Sequence, residues 1–255
     1  MSGDDAFIRV RGLAKSFAGQ VLYDRFDLDL PKGALTSIFG PNGCGKSTLI
    51  NMMSGIVPFD AGTISIGGRD LSKARIGYVF QNYRDSLFPW SRALENIEYP
   101  LRIRGIPRAE QKTRVEALLA AFEIKLDLRR YTYELSGGQC QLVAILRALA
   151  CEPDVLFLDE PFSALDYEMT LYVRDRLQSV FMRSHLTTVL VSHDLEEAVY
   201  LADRVVLLSK RPTRVAETVA FDVPRPRTLD LLSDPRFVAV KGRALDVFRR
   251  EMAAA

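Results

Sequence analysis

Charge of one sign is the first thing this chain does without. Its 34 lysines and arginines stand against 32 aspartates and glutamates, for a net charge of +2. That balance gives no electrostatic argument for a nucleic-acid partner, and none is expected. Cysteine is scarce. Cys44, Cys140 and Cys151 are odd in number and lack metal-ligand spacing, so reduced cytosolic thiols are the simplest account. Long apolar runs are missing too. Val205-Val206-Leu207-Leu208 and Val155 to Leu158 are far short of a bilayer span. The opening Met1-Ser2-Gly3-Asp4-Asp5 lacks the basic and apolar regions of a secretory signal. A soluble protein is expected, with any membrane role reached through a partner. No internal repeat is expected, and the tail is not expected to form a separate regulatory domain.

What is there is an ordinary globular composition, 48% hydrophobic and 26% charged over 255 residues, enough to bury a sizeable core. Within it lies one informative stretch, Gly40-Pro41-Asn42-Gly43-Cys44-Gly45-Lys46-Ser47-Thr48. The apolar run Leu35 to Phe39 precedes it and Leu49-Ile50-Asn51-Met52-Met53 follows, so strand, glycine turn and helix stand in the order a phosphate-binding loop requires. Three glycines let successive N–H groups face one concave point. The following helix adds its free N–H groups and the positive end of its dipole. Lys46 is suited to a β- or γ-phosphate, Ser47 to Mg²⁺, and Thr48 to a donor role near the α-phosphate. The plain alternative is a glycine turn that merely caps a helix.

Phe7 to Val10 and Phe26 to Leu30 alternate like half-buried antiparallel strands, with Ala14 to Gly19 expected as a loop between them. Thr63 to Gly68 reads as a strand ending in a hairpin, and Ile76 to Phe80 as a short buried strand ending at Gln81. From Asn82 to Leu149 the pattern turns helical, with Val115, Leu118, Leu119 and Phe122 at helical spacing behind Pro107 and a further helix over Cys140 to Ala150. Val155 to Leu158 has the continuous apolar pattern of a strand buried on both faces. A helix over Tyr167 to Arg183, a strand over Thr187–Val191 and a last helix from Pro235 to Met252 complete the reading. The expected fold is one α/β domain. Residues 7–81 and 150–215 form a mostly parallel, helix-covered core with an antiparallel N-terminal part, 82–149 form an inserted helical lobe, and 216–255 form the tail.

Two acids end the buried strand. At the carboxyl end of such a strand Asp159 can hold Mg²⁺ directly or through water, and Glu160 can orient and deprotonate a water for attack on a γ-phosphate. The alternative is an N-cap acid with a solvated neighbour. His193, after the strand Thr187–Val191, can donate to a γ-phosphate oxygen or be structural. His185, on a polar loop, is assigned no role.

Taken with Leu135-Ser136-Gly137-Gly138-Gln139, these stretches resemble the ATP-binding cassette (ABC) proteins over about residues 7–215. Leu135 to Gln139 matches the family's signature motif, Gln81 its Q-loop glutamine, Ser163-Ala164-Leu165-Asp166 its D-loop and His193 its switch histidine. Phe17 falls where the family carries an aromatic that stacks on adenine. The resemblance implies an ATPase with ATP and Mg²⁺ as cofactors, with Gln81 joining Ser47 and Asp159 at the metal. It implies a homodimer in which the P-loop of one copy and Ser136, Gly137, Gly138 and Gln139 of the other clamp each ATP, with Asp166 linking the two sites. Lys46, Gln81, Glu160 and His193 are the implied catalytic residues.

Asn82 to Trp90, Tyr200 to Arg204, Arg211-Pro212 and Pro224-Arg225-Pro226-Arg227 resemble the nitrate, sulfonate and taurine branch of bacterial importers. That implies a peripheral subunit at the cytoplasmic face of the membrane. Its partners would be integral membrane permease subunits and a periplasmic or lipid-anchored solute-binding protein. Exposed aromatics around Trp90 would suit a groove for a permease helix, the alternative being lobe core. Cys140, Leu142, Leu146 and Thr132 depart from the family's usual residues. Leu142 and Leu146, four apart, share a helix face and are expected to pack together. The phosphate-contacting residues are intact, so an active ATPase is expected. Two other readings fit the chain less well. An assembly scaffold of the iron–sulfur type lacks the Phe88-Pro89-Trp90 stretch and the arginine–proline tail. A DNA-maintenance cassette needs a coiled-coil insertion that is not present.

Overall fold

The computed structural model describes residues 6–123, 126–163 and 165–253. The expectation for Met1 to Asp5 and the D-loop residue Ala164 lie outside them. The chain divides into two compact units, one made of the residues up to Ala74 and those from His185 on, the other of Arg75–Ser184. The second unit holds two strands and a long helix besides the 82–149 segment.

In the first unit, strand β1 (Ala6–Phe17) and strand β2 (Gln20–Pro31) form a long hairpin. The expected loop over Ala14 to Gly19 is therefore corrected. Pairing continues to Ser16↔Val21 and Phe17↔Gln20, leaving only Ala18 and Gly19 to turn the chain. Both have positive φ, 47° and 80°, the requirement of a two-residue turn whose twist matches its strands. Lys15 and Ser16 look like loop residues by composition, yet Asp60 takes the Lys15 ammonium at 2.9 Å and the Ser16 N–H at 2.7 Å, which holds them in the strand.

Strand β3 (Leu35–Phe39), buried throughout, leads through the glycine loop into helix α1 (Lys46–Met53). Strands β4 (Ala61–Ile66) and β5 (Arg69–Asp70) complete a four-stranded antiparallel sheet in the order β2-β1-β4-β5.

In the second unit, β6 (Ile76–Val79) is followed by the short helix α2 (Tyr83–Ser86), α3 (Ala93–Ile103), α4 (Arg108–Ala121) and α5 (Gly137–Leu149). Helix α5 is buried nearly all round, including Leu142 and Leu146, as its apolar sequence requires. Two of the unusual residues touch: the Cys140 thiol lies 3.2 Å from the Thr132 carbonyl oxygen, to which it donates. Strand β7 (Val155–Asp159) is buried at every position and pairs in parallel with β6; helix α6 (Tyr167–Ser184) closes the unit.

Back in the first unit, strand β8 (Thr187–Val191), helix α7 (Leu195–Leu201), strand β9 (Arg204–Leu208), strand β10 (Val215–Ala220) and helix α8 (Pro235–Ala253) follow. Strand β3 lies between β8 and β9, parallel to both, and β10 runs antiparallel to β9. The P-loop strand is thus central in its unit. Strand β9, helix α7 and strand β10 carry no expectation from sequence. Helix α7 is too short for a periodic signal, and β10 exposes much of its length. No helix among the described residues is long and apolar enough to cross a membrane.

Candidate functional site

The glycines of the loop are there for space and for backbone angle. A Cβ on Gly40 would sit 3.0 Å from the Leu208 carbonyl oxygen, and Gly45, at φ 98°, has Leu22 and Tyr23 side-chain atoms equally close. Gly45 is also the N-cap of α1, and no side chain caps the helix or places an acid in its first turn. That end of α1 thus has the backbone donors and the positive dipole end that suit an anion. Lys46 is buried, with its ammonium donating to the carbonyls of Gly40 at 2.9 Å and Pro41 at 3.1 Å. Gly40, Pro41, Asn42, Gly43 and Cys44 line a cavity of about 710 Å³ together with His193, Lys210, Arg211 and Phe248. Burial pushes the Cys44 thiol up, away from the reactive thiolate.

His193 stands at the exposed end of β8, next to Asp194, whose carboxylate caps α7 by accepting from the N–H groups of Glu196 at 2.7 Å and Glu197 at 3.4 Å. Phe17, at the end of the hairpin, is 49% exposed, with the Lys15 ammonium 5.0 Å from its ring centre. An exposed aromatic at the tip of a rigid hairpin is a platform for a flat apolar ring.

The second unit carries the acids. Asp159 ends β7 buried and takes a hydrogen bond from the Tyr78 hydroxyl, whose pKa is pushed up by burial and then by that carboxylate. Glu160 follows at φ 46°, a left-handed conformation rare for a residue with a side chain. The Ser163 hydroxyl donates to its carbonyl at 3.0 Å, and the Gln81 side-chain amide donates to its carboxylate at 2.9 Å. Gln141, 1% exposed, donates to the carbonyl of Pro161 at 2.7 Å, so helix α5 holds the loop just past the acid. Ser136 and Gln139 form a reciprocal cap on α5: the Ser136 hydroxyl accepts from the Gln139 N–H at 3.3 Å, and the Gln139 side chain accepts from the Ser136 N–H at 3.0 Å. A Cβ on Gly138 would lie 2.7 Å from Met169. Asp166 accepts from the Met169 N–H at 2.8 Å and so opens helix α6.

Each unit therefore brings part of the expected set together. Loop residues 40–44 and His193 share one cavity, and Phe17 does not line it. Gln81 touches Glu160, and Ser136 touches Gln139. Lys210 and Phe248 at the cavity carry no signal in the sequence, and Arg211, matched only as part of Arg211-Pro212, carries none that places it there, because nothing local says that late segments return to a loop near residue 40.

Among the described residues no three His, Cys, Asp or Glu side chains gather as an all-protein metal cage. The proposed donors, a hydroxyl, one carboxylate and a carboxamide, are hard oxygens. That set fits Mg²⁺, an ion that keeps waters and takes phosphate oxygens as its other ligands.

A strand, glycine loop and helix at the centre of a parallel sheet define a P-loop nucleotide-binding fold. Comparison places the chain within that class. The family profile described as "ABC transporter" matches residues 23–163. The Taurine import ATP-binding protein TauB of Escherichia coli strain K12 is 35% identical over 245 residues, covering 92% of this chain and 94% of that protein. Among solved structures, the dimeric MJ0796, a bacterial ABC transporter cassette, has a TM-score of 0.74 at 28% identity over 85% of this chain and 100% of that one. A post-hydrolysis state of MJ0796 bound to ADP and Pi has the same TM-score at 27% identity and the same coverage. The chain belongs to the ABC transporter family, and is an ATPase of that family.

Proposed function

We propose that this chain is the ATP-hydrolysing subunit of an importer, energising the uptake of a small anionic solute of the nitrate, sulfonate or taurine kind through a separate membrane permease. The observation that carries this is the 35% identity to a taurine import ATP-binding protein across nearly the whole of both chains. In this reading Phe17 stacks on the adenine and the N–H groups of Gly43 to Thr48 bind the phosphates. Lys46 leaves its loop carbonyls for a β/γ-phosphate oxygen. When bound, Mg²⁺ would neutralise phosphate charge, held by Ser47, Asp159 and Gln81. Glu160 takes the proton of the attacking water, and His193 donates to the γ-phosphate.

Two copies act together, the capped N-terminus of α5 in one closing on the γ-phosphate held by the other, with Asp166 linking the sites. Loss of that phosphate removes the charge both helix ends face, and the pair opens. A peripheral place at the cytoplasmic face follows from this partnership, as does a solute-binding protein in the same system.

The permease contact is proposed on the second unit. Trp90 is 73% exposed and Tyr133 70% exposed, and the backbone bridge Arg92↔Tyr131 sets them on neighbouring segments. Phe88 and Trp90 rings lie 5.6 Å apart, and Tyr131 and Tyr133 stack at 5.4 Å. Large exposed aromatics of this kind are the usual energetic anchors of an interface. Replacing Trp90 and Tyr133 together by alanine should leave the ATPase rate of the isolated chain unchanged. It should also abolish co-purification of a polytopic membrane protein from solubilised membranes. Recovery of only soluble partners by the parent chain would sink the importer reading.

A further inference from the structure

A phosphate nest works only if its N–H groups point inward, which requires the carbonyls of the same peptides to point outward and find donors. In this loop three consecutive carbonyls have them, from three separate side chains. The Arg211 Nε–H donates to the Gly43 carbonyl at 2.6 Å. The Thr213 hydroxyl donates to the Cys44 carbonyl at 2.6 Å, and the Tyr23 hydroxyl donates to the Gly45 carbonyl at 3.0 Å. Tyr23 and Thr213 are themselves fixed. Both are buried, and the Thr213 N–H is bonded to the Leu22 carbonyl at 2.8 Å.

The structure assigns to Tyr23, Arg211 and Thr213 the role of positioning residues that preform the phosphate nest from behind. The assignment rests on the P-loop being the ATP site, and adds residues that no loop motif contains. Each bond lies on the far side of a peptide whose N–H belongs to the next residue: Gly43 to Cys44, Cys44 to Gly45, Gly45 to Lys46. A donor on a peptide carbonyl polarises that peptide and strengthens its N–H as a donor. The three bonds therefore orient and sharpen the N–H groups of Gly45 and Lys46, and hold the turn in which the Cys44 N–H meets the Pro41 carbonyl at 3.3 Å. Arg211 also reaches the Gln20 side chain at 3.5 Å, and Gln20 pairs with Phe17 across the hairpin end. The phosphate nest and the aromatic platform are thus braced by one guanidinium.

The test is nucleotide affinity in the full chain. Tyr23→Phe and Thr213→Val each remove one hydroxyl and little volume, and each should raise the Kd for ATP roughly three- to tenfold, the worth of one hydrogen bond. At saturating ATP the two variants should keep the parent kcat, so the effect falls on KM. Thr213→Ser, which restores the hydroxyl, should restore affinity. Tripolyphosphate, which carries no base, should lose affinity by the same factor as ATP. A double variant that binds ATP within twofold of a binding parent overturns the assignment, as does a loss of kcat with KM unchanged. A parent chain that binds no ATP overturns the assignment and the nucleotide-site reading together.

Discussion

Glu160→Gln is expected to cut ATP turnover by roughly 10²- to 10⁴-fold, the contribution of a positioned general base, while leaving ATP binding intact. The substitution is close to isosteric, and the local structure shows why it isolates the chemistry. The backbone of Glu160 is held by Ser163 through its carbonyl, and the next residue by Gln141, and neither contact uses the carboxylate. The contact from Gln81 survives, since a carboxamide oxygen at the same place still accepts from its amide at 2.9 Å. What disappears is the ability to take a proton from water. With hydrolysis stopped, the γ-phosphate persists, and so does the charge that the α5 N-terminus of a second copy is proposed to face. Size-exclusion chromatography with Mg²⁺ and ATP should show the variant as a dimer under conditions where the parent runs as a monomer. Hydrolysis by the variant at the parent rate would remove Glu160 from the role of base.

How much of this was readable in the sequence follows from how local each interaction is. The nest at Gly40 to Thr48 is written into consecutive residues, because glycine angles, lysine and hydroxyls act within a few positions of one another. The cap of Ser136 and Gln139 is three residues long and equally legible. The hairpin end reads as a loop in the sequence because Lys15-Ser16 and Ala18-Gly19 look like turn composition. It is Asp60, 45 residues from Lys15, that keeps the strand going. Nothing near the loop announces Tyr23, Arg211 and Thr213. Two of them lie about 170 residues downstream and become part of the site only because β9 pairs beside β3. Arg211-Pro212 and Pro224 to Arg227 could be matched to a branch of importers from sequence, but their physical work could not be inferred without the fold.

That work is plainest at Arg227, whose replacement by alanine should strongly destabilise the first unit. Its side chain is wholly buried and serves as the cap of helix α7 and of the segment after β10. It donates to the carbonyls of Tyr200 and Ala202 at 2.8 Å each, of Phe221 at 3.2 Å and of Val223 at 2.9 Å. Its guanidinium lies 4.7 Å from the centre of the Phe221 ring, and Tyr200 returns a hydroxyl bond to its carbonyl at 2.6 Å. Burial, and then the charge of Arg225, pull its pKa down to about 10, so it remains charged at neutral pH. Asp203 supplies the counter-charge. It pairs with Arg225 at 2.6 Å, and its other carboxylate oxygen accepts from the Leu35 N–H at 2.8 Å, at the start of the P-loop strand. The arginine–proline segment thus ties the first residue of β3 to the end of the helix that follows His193. Alanine at 227 leaves several buried carbonyls without a donor and a carboxylate with half its charge partner, a loss of about 3–5 kcal/mol. For a chain of this size that lowers the melting midpoint by about 10 °C. Lysine recovers only part, because a single ammonium cannot span carbonyls arranged for a planar fork. Thermal unfolding followed by circular dichroism decides it. A midpoint within about 2 °C of the parent would mean that the network adds little beyond what packing already supplies. Because α7 begins one residue after His193-Asp194, the surviving folded fraction should also show a weaker kcat if His193 has its proposed role at the γ-phosphate, which would link the tail motif to the site rather than to stability alone.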